Sequence, residues 1–322
     1  MKKLIKLFFG LFLVTMISCQ KKNTIYLTSD SFKVEITDKG YISGLKEKAT
    51  KKNYMPPGME SPLLAIVENG QLKLPGALVV NDESSYILRF INSELELKLG
   101  INEHTSHISF SIDDIIGDED SLEAIIWGPY STKIDGIIGE NMGVVRNSDF
   151  AIGIQSLNPK TTAGKLDNIQ GIVSYHGTAA EATDFGSVLQ AFAINRTRDL
   201  SHSKWDGWEN RYPGRPVYLL NEDEGSVKGS SIALFACKPE SVVSTIGEIE
   251  IAEGLPYPEI DGIWVKESDQ TGRAYVISPF SEDNVETMIN YVKMCGLRSL
   301  YHEGPFETWG NFKLNKEMFP NG

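Results

Sequence analysis

Cysteine is scarce in this chain: Cys19, Cys237 and Cys295 are the only three in 322 residues, and no two stand at metal-ligand or redox spacing. That excludes a thiolate zinc site and a disulfide framework. Cys237 and Cys295 each fall inside an apolar pattern and read as small buried hydrophobes. Histidine is equally thin. His104, His107, His176, His202 and His302 are scattered. Even His104 and His107 sit in an alternating strand pattern that points them to opposite faces. No metal motif results, and neither a metal nor a cofactor is expected. Excess positive charge is missing too: the formal net charge is -12, which disfavours nucleic acid and anionic polymers as electrostatic partners. Helical periodicity is nearly absent before residue 240, and there is no internal repeat or low-complexity segment.

The one long apolar run stands at the start, in MKKLIKLFFGLFLVTMISC. Lys2, Lys3 and Lys6 make a basic region, Leu7 to Ile17 an apolar one too short to span a bilayer, and Ser18 a small residue at a cleavage point. This order reads as an export signal over residues 1–18. Met16-Ile17-Ser18-Cys19 resembles a bacterial lipobox, which implies that Cys19 takes a diacylglyceryl group and becomes the mature N-terminus. The expected product is an exported lipoprotein of the periplasm or outer membrane, anchored by lipid and joined to its body by a polar tether over 19–24.

Residues 25–245 are dominated by short strands. Phe32 to Ile36, Leu63 to Val67, Tyr86 to Phe90 and Glu94 to Leu99 follow one another, several with period-two alternation. Asp38-Lys39-Gly40, Asn69-Gly70 and Gly100-Ile101-Asn102 read as the turns between them. Many strands and almost no helix predict a mainly β fold, a large antiparallel sandwich. Its length of about two hundred residues suits one all-β domain. Ser31 to Ile36, then Gly40-Tyr41-Ile42-Ser43-Gly44-Leu45, Lys48-Ala49-Thr50 and Asn53-Tyr54 resemble the opening of the galactose mutarotase-like supersandwich that precedes barrels in many exported polysaccharide-degrading enzymes. No mutarotase catalytic His and Glu pair can be placed on this sequence.

Two aromatic stretches stand out in the sandwich, Trp127-Gly128-Pro129-Tyr130 and Trp205-Asp206-Gly207-Trp208-Glu209-Asn210-Arg211-Tyr212. An indole stacked on a sugar ring beside a carboxylate or guanidinium is a common way to hold carbohydrate. Trp205 and Trp208 are therefore candidate sugar contacts, against a solvated loop whose aromatics pack on their own domain. For Trp127 the competing reading is core. Arg146 reads as an ion-pair partner.

The pattern changes near residue 240. Val242 to Ile249 predicts a short helix, and 246–270, with Gly254-Leu255-Pro256-Tyr257-Pro258, reads as a linker. Ala274 to Ile277 is then a strand, with Ser281 as N-cap of a helix whose apolar face is Val285, Met288, Ile289, Val292 and Cys295. Gly296 closes that helix, and Leu297 to Tyr301 is a second strand. Strand, helix and strand predict a parallel βαβ unit, the opening of a (β/α)8 barrel over 271–322. His302 and Glu303 fall at the strand's carboxyl end, the face that bears chemistry in such barrels.

His302-Glu303-Gly304, Trp309-Gly310-Asn311-Phe312 and Met318-Phe319-Pro320-Asn321-Gly322 resemble the second strand and following loop of the retaining α-galactosidase clan. Where those relatives carry two aspartates, this chain has His302 and Glu303. The resemblance implies a glycoside hydrolase acting on oligo- or polysaccharide, with His302, Glu303 and Trp309 as substrate contacts. Glu303 could instead pair with Lys313, and Trp309 could fill the barrel wall. A complete barrel takes ~250 residues, whereas 271–322 supplies 52 (322 minus 270). The barrel is therefore expected to be truncated, with the catalytic carboxylates beyond residue 322, so no catalytic residue is assigned. The alternative is a non-catalytic carbohydrate-binding lipoprotein. A lyase of uronic-acid polymers is a third possibility that no residue favours.

Overall fold

The computed structural model describes residues 24–82, 85–139, 143–166, 179–197, 219–270, 275–308 and 311–322. The chain divides into two units, Met1–Val242 and Val243–Gly322.

The first unit is built from β1 (Ile25–Thr28), β2 (Phe32–Ile36), β3 (Tyr41–Glu47), β4 (Ser61–Pro62), β5 (Leu64–Glu68), β6 (Gln71–Lys73), β7 (Pro75–Val80), β8 (Ser85–Phe90) and β9 (Glu96–Glu103). It continues through β10 (His107–Ile116), β11 (Leu122–Thr132), β12 (Ile137–Gly139), β13 (Val144–Arg146), β14 (Ala151–Ser156), β15 (Thr162–Ala163), β16 (Ala180–Thr183), β17 (Gly186–Ile194) and β18 (Ser231–Cys237). An eight-stranded sheet runs β12-β13-β14-β18-β10-β9-β8-β7, a six-stranded one β15-β17-β11-β5-β6, and a four-stranded one β1-β2-β3-β4. All the pairings are antiparallel. One continuous core contains Phe32 and Leu45 of the small sheet, Phe110 and Leu234 of the large one, and Trp127 and Leu189 of the third. The unit is a β-sandwich.

Alternation explains the inner faces. Phe32, Val34 and Ile36 are fully buried, while Lys33 and Glu35 between them point outward. Glu35 pairs across the sheet with Lys46 at 2.7 Å. Asn69-Gly70 makes the two-residue hairpin turn between β5 and β6, both residues having positive φ of 48° and 72°, as a type I′ turn requires. The Asn53-Tyr54 pair has a local cause as well. Asn53 Oδ1 accepts from the amides of Leu45 and Met55, both at 3.1 Å, and the Tyr54 ring stacks on Phe150 at 4.9 Å.

Three expectations are corrected here. Gly100-Ile101-Asn102 is not a turn: β9 runs through it to Glu103. A side chain at Gly100 would meet Ser111 Oγ at 2.5 Å, so the glycine makes room across the ladder and does not bend the chain. The reversal comes at His104, whose amide donates to His107 O at 2.9 Å. Because His104 lies in the turn, strand alternation does not apply to it, and the two imidazoles stack at 4.2 Å with 4° between their planes. Cys237 is buried as expected, but Cys295 is exposed, because it caps the helix and lies off its packed face.

Glu47, at the end of β3, is 3% exposed. It accepts from Thr50 Oγ1 at 2.6 Å and pairs with Lys238 Nζ at 2.9 Å. The Thr50 hydroxyl first, then the Lys238 ammonium, outweigh burial and hold this carboxyl below its usual range. With a folded value below the unfolded one of about 4.3, the stabilisation is complete above the unfolded value. It is lost as pH falls through the folded value, where the native carboxylate takes up its proton. Lys238→Met should therefore move the midpoint of acid unfolding, followed by circular dichroism, to higher pH. At neutral pH it should lower stability only modestly, because solvent screens a half-exposed ammonium. An unchanged acid midpoint would assign the effect to Thr50 alone.

The second unit contains the helix that begins at Val242 and ends at Ala252, then β19 (Glu259–Ile260), β20 (Ile263–Trp264), β21 (Tyr275–Ile277), a helix over Val285–Met294, β22 (Ser299–Tyr301), β23 (Phe306–Thr308) and β24 (Asn311–Leu314). The stretch read as a linker holds a hairpin. Asp261 and Gly262, with φ of 54° and 76°, turn β19 into β20, and Trp264 stacks on Tyr257 at 4.9 Å. β21 and β22 pair in parallel, Tyr275 opposite Ser299 and Ile277 opposite Tyr301. Between them Val292 is buried and Val285, Met288 and Ile289 are half-buried on one helix face. Gly296, at φ 70°, ends the helix. Its amide donates to Lys293 O and that of Leu297 to Val292 O, both at 3.0 Å, the two bonds of a Schellman cap. Asn284, not Ser281, is the N-cap. Ser281 stands one turn earlier, where its carbonyl accepts from the Val285 amide at 3.0 Å.

Candidate functional site

A parallel strand pair sends both chains out at the same end, so the loops after β21 and β22 meet there. Residues 278–284 follow β21 and residues 302–305 follow β22. Their junction is the ring of His302. Its Nε2 lies 3.1 Å from Phe280 O, and the Gly304 amide donates to its Nδ1 at 3.0 Å. A carbonyl only accepts and an amide only donates, so in this arrangement Nε2 is the donor and Nδ1 the acceptor. The same ring packs edge-on against Phe280 at 5.0 Å and Phe319 at 6.0 Å, while Phe280 and Phe319 meet at 5.9 Å.

The segment ending Phe319-Pro320-Asn321-Gly322 is fastened to the first loop by a second tie. Glu282 accepts from the Asn321 backbone amide at 2.8 Å and from Asn321 Nδ2 at 2.7 Å, and its own amide donates to Met318 O at 3.0 Å. Two carboxylate oxygens taking two donors from one residue fix its orientation. Three segments distant in sequence are thus locked together at the strands' carboxyl ends.

Beyond β22 opens a cavity of about 480 Å³ lined by Tyr301, His302, Glu303, Phe306, Glu307 and Phe312, among others. Phe306 and Phe312 face each other across the antiparallel pair β23 and β24, edge to face at 5.4 Å. Glu303 is exposed and, among the described residues, has no hydrogen-bond or ion-pair partner. Lys313, which sequence reasoning offered to Glu303, pairs with Glu307 at 3.2 Å. One free carboxylate flanked by three aromatic rings can accept hydroxyl or amine hydrogens while an apolar face covers the ligand.

Of the residues singled out in the sequence, His302 and Glu303 are brought to this cavity. Both ring nitrogens of His302 are spent on backbone, so it positions the loop, whereas the Glu303 carboxylate is exposed beside the cavity. Trp309, Trp205, Trp208 and Cys19 lie outside the described residues. Trp127 and Tyr130 are fully buried in the sandwich core, which settles the first aromatic stretch as structural. Arg146 donates to Pro239 O at 3.3 Å. Sequence reasoning missed Phe280, Glu282, Phe306 and Glu307. Strand and helix periods do not reach into loops, so no sequence pattern marks these four side chains as neighbours of His302 and Glu303.

A larger depression of about 600 Å³ on the first unit is lined by Asp113, Glu119, Asp223, Lys160 and Lys228. Both lysines and one carboxylate are engaged at home: Lys228 pairs with Asp114 at 2.7 Å, Lys160 Nζ donates to Lys228 O, and Ser226 Oγ donates to Glu119. That leaves the cavity beyond β22 as the stronger candidate.

No family model matches the chain, and no curated protein matches it. Among solved structures, one of a candidate aldose 1-epimerase from Escherichia coli K12 is similar at 9% identity, covering 67% of this chain and 99% of its own, with a TM-score of 0.30. At that score the likeness assigns neither an activity nor a site.

Proposed function

We propose that this chain is part of a lipid-anchored glycoside hydrolase of the α-galactosidase-like clan, exported to the periplasm or outer membrane. In this reading a galactose mutarotase-like sandwich precedes a (β/α)8 barrel, of which β21, the 285–294 helix and β22 are the opening. The observation that supports it best is the parallel pair with Glu303 at its carboxyl end, above a cavity walled by aromatic rings. The acid and nucleophile carboxylates would come from further strands, since acid–base cleavage of a glycosidic bond needs two carboxyl groups on opposite sides of it. The ligand is carbohydrate, held without nucleic acid, metal or cofactor.

One observation favours the second reading, a non-catalytic carbohydrate-binding lipoprotein. The two carboxylates lining the cavity, Glu303 and Glu307, lie in one short segment, and Glu307 is already held by Lys313. That suits hydroxyl binding better than opposed acid and base. The purified chain is accordingly expected to show no turnover of aryl glycosides above a mock purification. Turnover would place a catalytic pair within residues 1–322.

Glu303→Gln tests the site itself. Charge-assisted hydrogen bonds to one sugar are worth about 1.5–3 kcal/mol each. The substitution should therefore weaken sugar affinity tenfold or more, about 1.4 kcal/mol per tenfold, with the melting temperature nearly unchanged. Calorimetric titration alongside thermal unfolding reads both. A lowered melting temperature with intact affinity would make Glu303 structural and move the pocket elsewhere.

A further inference from the structure

We propose that the cavity beyond β22 selects saccharides bearing a protonated amine over neutral and acidic ones, an inference that rests on the sugar-site reading above. Among the described residues its lining includes two carboxylates and no lysine or arginine. Lys313 at 3.2 Å offsets the charge of Glu307, and both groups are at least one-third exposed, so Glu303 leaves the lining with net negative charge. Tyr301, Phe306 and Phe312 supply aromatic wall. Tyr301 is 49% exposed and Phe312 79%, so ring faces are open to a ligand. The π face of such a ring carries negative potential and attracts a cation within about 6 Å. Both ring nitrogens of His302 are engaged by the Phe280 carbonyl and the Gly304 amide, so the ring serves the loops and not the ligand.

A ring sugar with one ammonium group meets all of these features at once. Its apolar face covers an aromatic ring, its hydroxyls and ammonium reach Glu303, and its charge is opposite to that of the lining. A uronate or sulfated sugar would set like charges together. A neutral hexose would use the same hydrogen bonds without the charge term.

The test titrates the purified full chain with glucosamine and galactosamine, their neutral parents glucose and galactose, the N-acetylated amines, and glucuronate. It is run at about pH 6, where an aliphatic amine is protonated. Both amines should bind about tenfold more tightly than the neutral sugars, and the advantage should shrink as salt is raised. N-acetylation should remove it, and glucuronate should not bind. In Glu303→Gln the amines should fall to the level of the neutral sugars. Equal binding of amines and neutral sugars, or preferred binding of glucuronate, overturns this inference and leaves the sugar site standing. Absence of binding by every sugar overturns the sugar site itself.

Discussion

Trp127→Ala should unfold the sandwich at a much lower temperature, with a loss of about 3–5 kcal/mol. Trp127 lies on β11 at zero exposure, its ring 6.4 Å from that of Phe110 on β10 in the facing sheet. It is among the largest fully buried side chains, and it stands where two sheets meet, so its removal leaves a void that no single strand can move to fill. The hydrogen bond it makes is the smaller term. Nε1 donates to Ser230 Oγ at 3.1 Å, but that hydroxyl also bonds Thr161 Oγ1 at 2.8 Å and keeps a partner when the indole is gone. A domain of this size shifts by about 2–4 °C per kcal/mol, so a fall on the order of 10 °C is expected in a thermal melt. Trp127→Phe keeps most of the volume and should fall by much less. A change of only about 2 °C for Trp127→Ala would mean that the sheets close over the gap.

Cys19→Ser should abolish incorporation of radiolabelled fatty acid and release the protein from the membrane fraction. The argument is one of sequence order: Lys2, Lys3 and Lys6, an apolar stretch ending at Ile17, then Ser18 and Cys19. Only a thiol can take the diacylglyceryl group, and a serine hydroxyl in its place cannot. In the lipoprotein reading each buried methylene would be worth about 0.8 kcal/mol, so losing the acyl chains would remove the anchor. The Lys21 and Lys22 pair that follows adds only about 1 kcal/mol each near anionic lipid. Equal incorporation into wild type and variant would sink the lipoprotein reading. Among the described residues no helix is long and apolar enough to cross a membrane.

Much of the architecture was legible because it depends on neighbours in sequence. Alternation in Phe32 to Ile36 puts every second residue inside. The left-handed conformation available to Asn69, Gly70 and Gly296 places a hairpin turn and a helix cap, and three- and four-residue spacing from Val285 to Val292 aligns one helix face. Together these place Glu303 at the end of a strand with a parallel neighbour. Tertiary structure decided what depends on residues far apart. Trp127 is core and not a sugar platform, because β10 and Ser230 close over it. Cys295 is exposed because the helix stops one residue before it. His104 and His107 share a face because the chain reverses at His104 and not at Gly100. His302 serves the loops, since Phe280 and Phe319 arrive from 22 residues before it and 17 after it (302 minus 280, 319 minus 302) to enclose its ring. Local conformation follows from steric limits on each residue, whereas burial and hydrogen-bond partners depend on which distant segments the fold brings within a few ångströms.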